Sequence, residues 1–322
     1  MTFALPSLRA LGAVAPLALA ASAHAACGSS YCSLLNDRFA LGTWDHVGWS
    51  ADVRLEYVPQ TRLKSGSHSI DASQVSDEEA LERHTRNTNL VTTLERSFDL
   101  NWSLALRVPV VHRDHLHDPI DENTGDLLPS ERWRFTRLGD VQLLARWQDA
   151  RQAPDASWAV TGGLKLPTGR HDIANADGVR AERALQPGSG TTDAVLGVAW
   201  RRMTGLADAL NLQGTVTQAL NSRADFKPGT RSELAAGWSH AYSPTLSAVL
   251  QLNLVHKSRD RGAQAELETS GATTLSLSPG LSAAIGSNTL LYAFVQLPLV
   301  QRVNGIQLVP KTSVALGTTV SF

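Results

Sequence analysis

The densest run of chemistry-bearing side chains is His112-Arg113-Asp114-His115-Leu116-His117-Asp118. Three imidazoles and two carboxylates within seven residues offer nitrogen and oxygen donors, a set that suits zinc or copper. His112, His115 and His117 are the candidate metal ligands, and metal-related uptake is one functional reading of the run. It also reads as a solvated polar loop, because donors spaced this way on a flexible segment select no metal. A second pair is Cys27 and Cys32 in Cys-Gly-Ser-Ser-Tyr-Cys. In an oxidising compartment two such cysteines close a small disulfide loop; a soft-metal site is the other reading, with no further ligand nearby. Nucleophilic catalysis has one local candidate, Trp238-Ser239-His240. Adjacent residues on a strand face opposite sides, so Ser239 and His240 cannot hydrogen-bond side chain to side chain. The sequence therefore predicts neither an enzyme nor a cofactor.

These groups must be positioned by something, and the N-terminus says where. Arg9 precedes an apolar run from Ala10 to Ala21, and Ser22-Ala23-His24-Ala25 ends in small residues. This is an export signal, residues 1–25, cleaved after Ala25. Residues 26–47 then form a periplasmic segment or a plug, and 48–322 form the main domain. Beyond the signal no apolar run approaches the ~18 residues of a membrane helix. The formal net charge is −1, which leaves no electrostatic footprint for nucleic acid.

From residue 49 onward apolar side chains fall on alternate positions, in segments about ten residues long. Trp49, Ala51, Val53, Leu55 and Tyr57 alternate with Ser50, Asp52, Arg54 and Glu56. Similar segments lie at 102–110, 141–147, 158–166, 246–254 and 312–322. Six more lie near 88–98, 193–203, 209–220, 230–242, 272–285 and 289–299. Period two means strands with one apolar face. Arg96 breaks that face in one segment, and Pro279 predicts a bulge or edge distortion in another. Glu78 to Arg86 fits a short helix within a loop. The connections alternate between short ones and long ones near 59–87, 112–137, 168–192, 221–229, 257–271 and 300–308, as in outer-membrane barrels with periplasmic turns and extracellular loops. Trp49, Trp102 and Trp158 would begin upward strands, while Phe98, Trp147, Trp200, Trp238 and Phe322 would end downward ones. All then lie at one interface, as an aromatic girdle. The predicted fold is an all-β, transmembrane, antiparallel up-and-down β-barrel of about 12 strands in the bacterial outer membrane.

Energetics assign the faces, because a cation facing mid-bilayer lipid costs about 2–4 kcal/mol. Asp52, Arg54, Glu56, Arg107, Arg146, Lys165, Glu233 and Lys311 must point inward. Where Ala293, Val295, Leu297 and Leu299 face lipid, Tyr292, Phe294 and Gln296 also turn inward. These eleven residues are the candidate pore-lining set. The two aromatics can stack a planar or apolar solute or simply pack against a plug. The inward charges likewise read as a hydrated path or as ion pairs that fill the lumen.

Two stretches resemble the MetA-pathway-of-phenol-degradation family of outer-membrane proteins. One is Gly163-Leu164-Lys165-Leu166-Pro167-Thr168-Gly169 with Pro187-Gly188-Ser189-Gly190-Thr191-Thr192-Asp193. The other is Val295-Gln296-Leu297-Pro298-Leu299 through Val303-Asn304-Gly305-Ile306-Gln307-Leu308. The resemblance covers about 160–322 well and implies a transporter-like barrel for aromatic or apolar compounds. The expected function is an outer-membrane channel or transporter for a small solute; a structural or adhesion barrel with a filled lumen is the alternative. The expected partners are outer-membrane lipid, the solute, and the assembly machinery that reads the C-terminal strand ending at Phe322.

Overall fold

The computed structural model describes residues 47–322 except 76–79, 122 and 150–155. The export signal, nearly all of the 26–47 segment and the Cys27–Cys32 pairing lie outside the described residues.

Twelve strands run in chain order. They are β1 (Gly48–Ser65), β2 (Ala80–Ser97), β3 (Trp102–Pro119) and β4, split into Glu131–Leu138 and Val141–Gln148. Then come β5 (Ala156–Leu166), β6 (Asp193–Met203), β7 (Asp208–Ala219) and β8 (Arg231–Ala241). The last are β9 (Leu246–Lys257), β10 (Ala272–Ile285), β11 (Thr289–Val303) and β12, split into Ile306–Pro310 and Ser313–Ser321. Each pairs antiparallel with the next, and β1 pairs with both β2 and β12, which closes the barrel. Closure is obligatory in hydrocarbon, where an open edge would leave N–H and C=O groups unpaired. The seam finishes with reciprocal bonds of 2.8 Å between the Trp49 and Phe322 backbones. Among the described residues no helix is long and apolar enough to cross a membrane.

Every predicted segment is a strand, but several strands are longer than predicted. β1, β2 and β3 each have 18 residues, about twice what a tilted strand needs to span the bilayer. The helix expected at Glu78–Arg86 is overturned: from Ala80 onward this stretch is β2, because pairing with β3 outweighs its helical pattern. The predicted 112–137 connection is largely strand as well, since β3 continues to Pro119 and β4 begins at Glu131. The expected 300–308 loop shrinks to a turn at Asn304-Gly305, with Gly305 at φ 56°, a backbone conformation glycine adopts without strain. The Pro279 expectation holds in kind. The β10 ladder to β11 omits Ser278 and Pro279 and shifts register between Leu275 and Ser276.

The outward apolar band sets the membrane position. On β1 it runs from Trp49 to Tyr57, both exposed. Eight rises of about 3.4 Å, tilted by about 40°, give roughly 21 Å, close to the ~25 Å apolar band of such barrels. Above Leu90, Val110 and Leu138 the outer face turns ionic, with Arg86, Asp114 and Arg134 beside one another in register. At the lower rim Trp102 opposes Trp147, and Trp158 opposes Trp200. The Trp147 and Trp158 rings meet at 5.1 Å, edge to face. Arg96, the odd cation on an apolar face, lies 5.6 Å over the Trp49 ring at this same interface, where cation–π contact accommodates it.

Candidate functional site

Inside the barrel, the strand alternation that places Leu and Trp against lipid turns a polar ladder inward. Arg54 pairs with Glu56 at 2.8 Å, and Arg146 with Glu95 at 3.3 Å. Asp52 accepts hydrogen bonds from Tyr292 at 2.9 Å and Thr319 at 2.6 Å. Glu233 pairs with Arg231 at 2.6 Å. Tyr292 and Phe294 are inward, as predicted, and are 5% and 1% exposed. They pack with Val58, Val249 and Ala315, and a Cβ at Gly317 or Gly280 would overlap their rings. This packing occupies the aromatic surface that could have stacked a solute. Lys311 departs from the predicted set: it is exposed, in the break between the halves of β12, where the inward–outward alternation is interrupted.

Not every inward polar group is paired. Arg107 Nε, the side-chain amides of Asn211 and Gln251, and Gln296 Oε1 have no hydrogen-bond partner among the described residues. They come from β3, β7, β9 and β11, around the whole circumference. At the periplasmic mouth, Arg201, Ala209, Ser239, Val249 and Ser282 line a small cleft of about 90 Å³.

The upper lumen is occupied by the connection between β5 and β6, residues 167–192, which folds inward. It packs on lumenal side chains of the wall: Ala181, Ala184 and Leu185 against Trp133, and Ile173 against Val111 and Phe135. Arg113, 1% exposed, donates to Leu185 O at 2.6 Å and Ala184 O at 3.3 Å, and is itself held by Asn87 Oδ1 at 2.7 Å. Trp133 Nε1 donates to Val179 O at 2.9 Å. Gln186 ties the loop to itself through Ile173 and Ala181. Burial and the nearby Arg183 guanidinium hold the His171 imidazole below its usual range.

The base of this loop is knotted by the family-like motif. Lys165 Nζ lies 2.7 Å from Asp140, 2.5 Å from Ser189 Oγ and 3.2 Å from Asp193. Thr168 Oγ1 donates to Gly139 O at 3.0 Å and accepts from Val141 N at 2.9 Å. Gly169 and Gly188 approach so closely that a Cβ on Gly188 would overlap the Gly169 carbonyl. Lys165, one of the candidate pore-lining residues, is inward as expected and is the buried hub of this knot, which matches the ion-pair reading of the inward charges.

The histidine run is not the predicted loop but the upper part of β3. His115 and His117 face the lumen and are buried, while His112 lies on the outer face and bonds Thr136 Oγ1 at 2.8 Å. The predicted trio therefore does not assemble, because an even-numbered position on this strand faces away from the odd ones. A different trio does: Glu82, His115 and His117, with ligand atoms all within 4.8 Å of one another. Sequence reasoning missed Glu82 because it hid in a helix-like stretch 33 residues upstream of His115. It also missed the inward loop, whose signal was its run of small and polar residues between the two motif segments. Elsewhere, His240 bonds Asp208 at 2.9 Å outside the barrel wall while Ser239 lines the periplasmic cleft. A Ser–His catalytic pair is therefore not formed there.

Known proteins place this architecture. A family model described as "Putative MetA-pathway of phenol degradation" matches residues 121–302, more than half of the 322-residue chain. No curated protein matches. An outer-membrane channel from Pseudomonas putida F1 superposes with a TM-score of 0.62 at 14% identity, over 87% of this chain and 98% of its own. The toluene transporter TbuX of Ralstonia pickettii gives 0.46 at 9% identity, over 94% and 97%. The transport unit of the autotransporter AIDA-I from Escherichia coli gives 0.47 at 10%, over 92% and 95%. Identities this low speak to fold alone. The family match, over more than half of the chain, makes it a member of the MetA-pathway-of-phenol-degradation family, and the 0.62 superposition agrees with its outer-membrane β-barrel fold.

Proposed function

We propose that this barrel is a channel for a small aromatic or apolar solute, constricted by the inward loop 167–192, and that it is not an enzyme. One observation supports the channel: polar atoms of Arg107, Asn211, Gln251 and Gln296 line the lumen with no hydrogen-bond partner among the described residues. Buried polar groups require a partner, and a hydrated lumen supplies it. A barrel filled for purely structural reasons would pair these groups or replace them with apolar ones.

The solute class rests on the seam between loop and wall. Val111, Trp133 and Phe135 on the wall face Ile173, Ala184 and Leu185 on the loop. Retraction of the loop bares an apolar-lined passage of the kind that suits aromatic ligands. Leu127, Leu128, Val179 and Leu267 are exposed on loops at the same rim, giving apolar surface at the outer mouth. The family's description, a pathway of phenol degradation, is in keeping with such a solute.

Ion conductance of the purified protein in a planar bilayer tests the hydrated path. Block of that conductance by phenol, but not by a sugar of similar size, tests the solute class. Assembled barrels that never conduct would overturn the channel and favour the structural reading.

A further inference from the structure

We propose that Glu82, His115 and His117 bind a divalent transition-metal cation of the zinc class inside the extracellular half of the barrel. The proposal does not rest on the channel reading.

The first support is geometric. His115 Nε2 lies 3.4 Å from His117 Nδ1 and 3.9 Å from Glu82 Oε1. With zinc bonds of about 2.0–2.1 Å, tetrahedral ligand atoms sit roughly 3.3 Å apart. The two imidazole nitrogens already have that spacing, and the carboxylate needs to move by only about half an ångström.

The second support is the orientation of the rings. The nitrogen of each imidazole that faces away from the trio has its own partner. His115 Nδ1 bonds Thr85 Oγ1 at 2.8 Å, and His117 Nε2 meets Glu131 Oε2 at 3.3 Å. Hydroxyl and carboxylate partners of this kind fix the tautomer and aim of metal-ligating histidines.

The third support is Glu82 itself. It is 4% exposed, and neither carboxylate oxygen has a hydrogen-bond partner among the described residues. A carboxylate left so is costly to bury. A β-bulge puts it there: the β2–β3 register shifts between Glu82 and His84, so Glu82 rather than Arg83 stands opposite His117. Bulges re-aim side chains in this way at functional sites. Arg83, displaced, pairs with Asp118.

The surroundings fit a cation. Trp133 walls the site, its ring 5.7 Å from His115 and 4.9 Å from His117. Glu182 and Glu266, from two loops over the lumen, lie close enough to act on Glu82 electrostatically. Two imidazoles and a carboxylate favour zinc, cobalt, nickel or copper over calcium or magnesium.

The test is titration of untagged, detergent-folded protein with Co²⁺, followed by its visible absorption, and displacement by Zn²⁺. One equivalent should bind in wild type and in His112→Ala. That equivalent should be lost in His115→Ala and His117→Ala, and binding should weaken at least tenfold in Glu82→Gln. Heat-modifiable gel migration confirms that each variant is folded. Should His115→Ala fail to fold, His117→Gln, which keeps the shape of a polar side chain, serves in its place. Binding that persists in the folded His115 and His117 variants, that is lost equally in His112→Ala, or that is absent from wild type would overturn the site.

Discussion

If loop 167–192 constricts the lumen, weakening its attachment should open the barrel, and Arg113 is the place to do so. Its guanidinium is buried on β3 and makes two bonds to loop carbonyls, at 2.6 Å to Leu185 and 3.3 Å to Ala184. Hydrogen bonds from a charged donor contribute roughly 1.5–3 kcal/mol each, and the longer one counts for less. Arg113→Met keeps most of the side-chain volume and removes both donors. It also removes the cost of burying the cation, which offsets part of the loss. The net weakening of the docked loop is therefore roughly 2–3 kcal/mol, or about a 30- to 150-fold shift toward the retracted state.

The assay is single-channel recording in a planar bilayer, reading the fraction of time spent in the larger conductance. That fraction should rise by about 30- to 150-fold, up to saturation. Trp133→Phe, which loses the indole bond to Val179 O at 2.9 Å and part of the ring packing on Ala181, Ala184 and Leu185, should act in the same direction by roughly 2- to 10-fold. The graded pair matters, because a change of lumenal charge alone would affect Arg113→Met and spare Trp133→Phe. An open fraction within threefold of wild type in folded Arg113→Met would refute the loop as the constriction.

Three further outcomes follow from the same geometry. Lys165→Met leaves Asp140 and Asp193 buried without their cation, so it should destabilise the barrel by roughly 3–5 kcal/mol; urea unfolding in detergent micelles reads this, and adding Asp140→Asn should recover part of it. Gly188→Ala drives a methyl group into the Gly169 carbonyl and should cost about 1–3 kcal/mol, seen as a lower temperature for loss of the fast-migrating folded band. Leu196→Arg, at a lipid-facing position 64% exposed, should cost about 2–4 kcal/mol of insertion, whereas Ser239→Arg, in the periplasmic cleft on the lumenal face, should fold into vesicles nearly as well as wild type.

How much of this was legible in the sequence depends on the period of the signal. Alternation over seven or more residues is strong, so all twelve strands and the girdle from Trp49 to Phe322 were legible. Where the outer face turns polar, above Leu90 and Val110, the contrast between faces vanishes. There Glu78–Arg86 passes for a helix and the histidine run for a loop, although both are strand. Parity would have separated His112 from His115 and His117 had the strand been known to continue. Glu82 was beyond reach even so, because one inserted residue reverses its face. The fate of Lys165 was hidden for another reason. Its strand position predicts an inward cation correctly, but its partners Asp140, Ser189 and Asp193 come from loop closure that alternation does not encode.

The motif that reveals the family therefore reports on the knot and not on the solute. Gly163 to Gly169 and Pro187 to Asp193 are the two ends of the inward loop, and their side chains bond one another and the break in β4. Any barrel that folds a loop into its lumen at this point needs the same cation, the same hydroxyls and two glycines in backbone contact. On the proposed function, the solute meets the stretch between the motif halves, residues 170–186, and the wall opposite it. Ile173, Val179, Ala184 and Leu185 can change there without disturbing the knot, because each contributes packing or a backbone carbonyl and none contributes to the Lys165 network. Apart from Arg183, which donates to Ser189 O at 2.7 Å, anchor and contact surface are separable along the chain, so solute preference should follow residues 171–186 when that stretch is exchanged between family members while Arg183 and the two glycine-rich ends are kept.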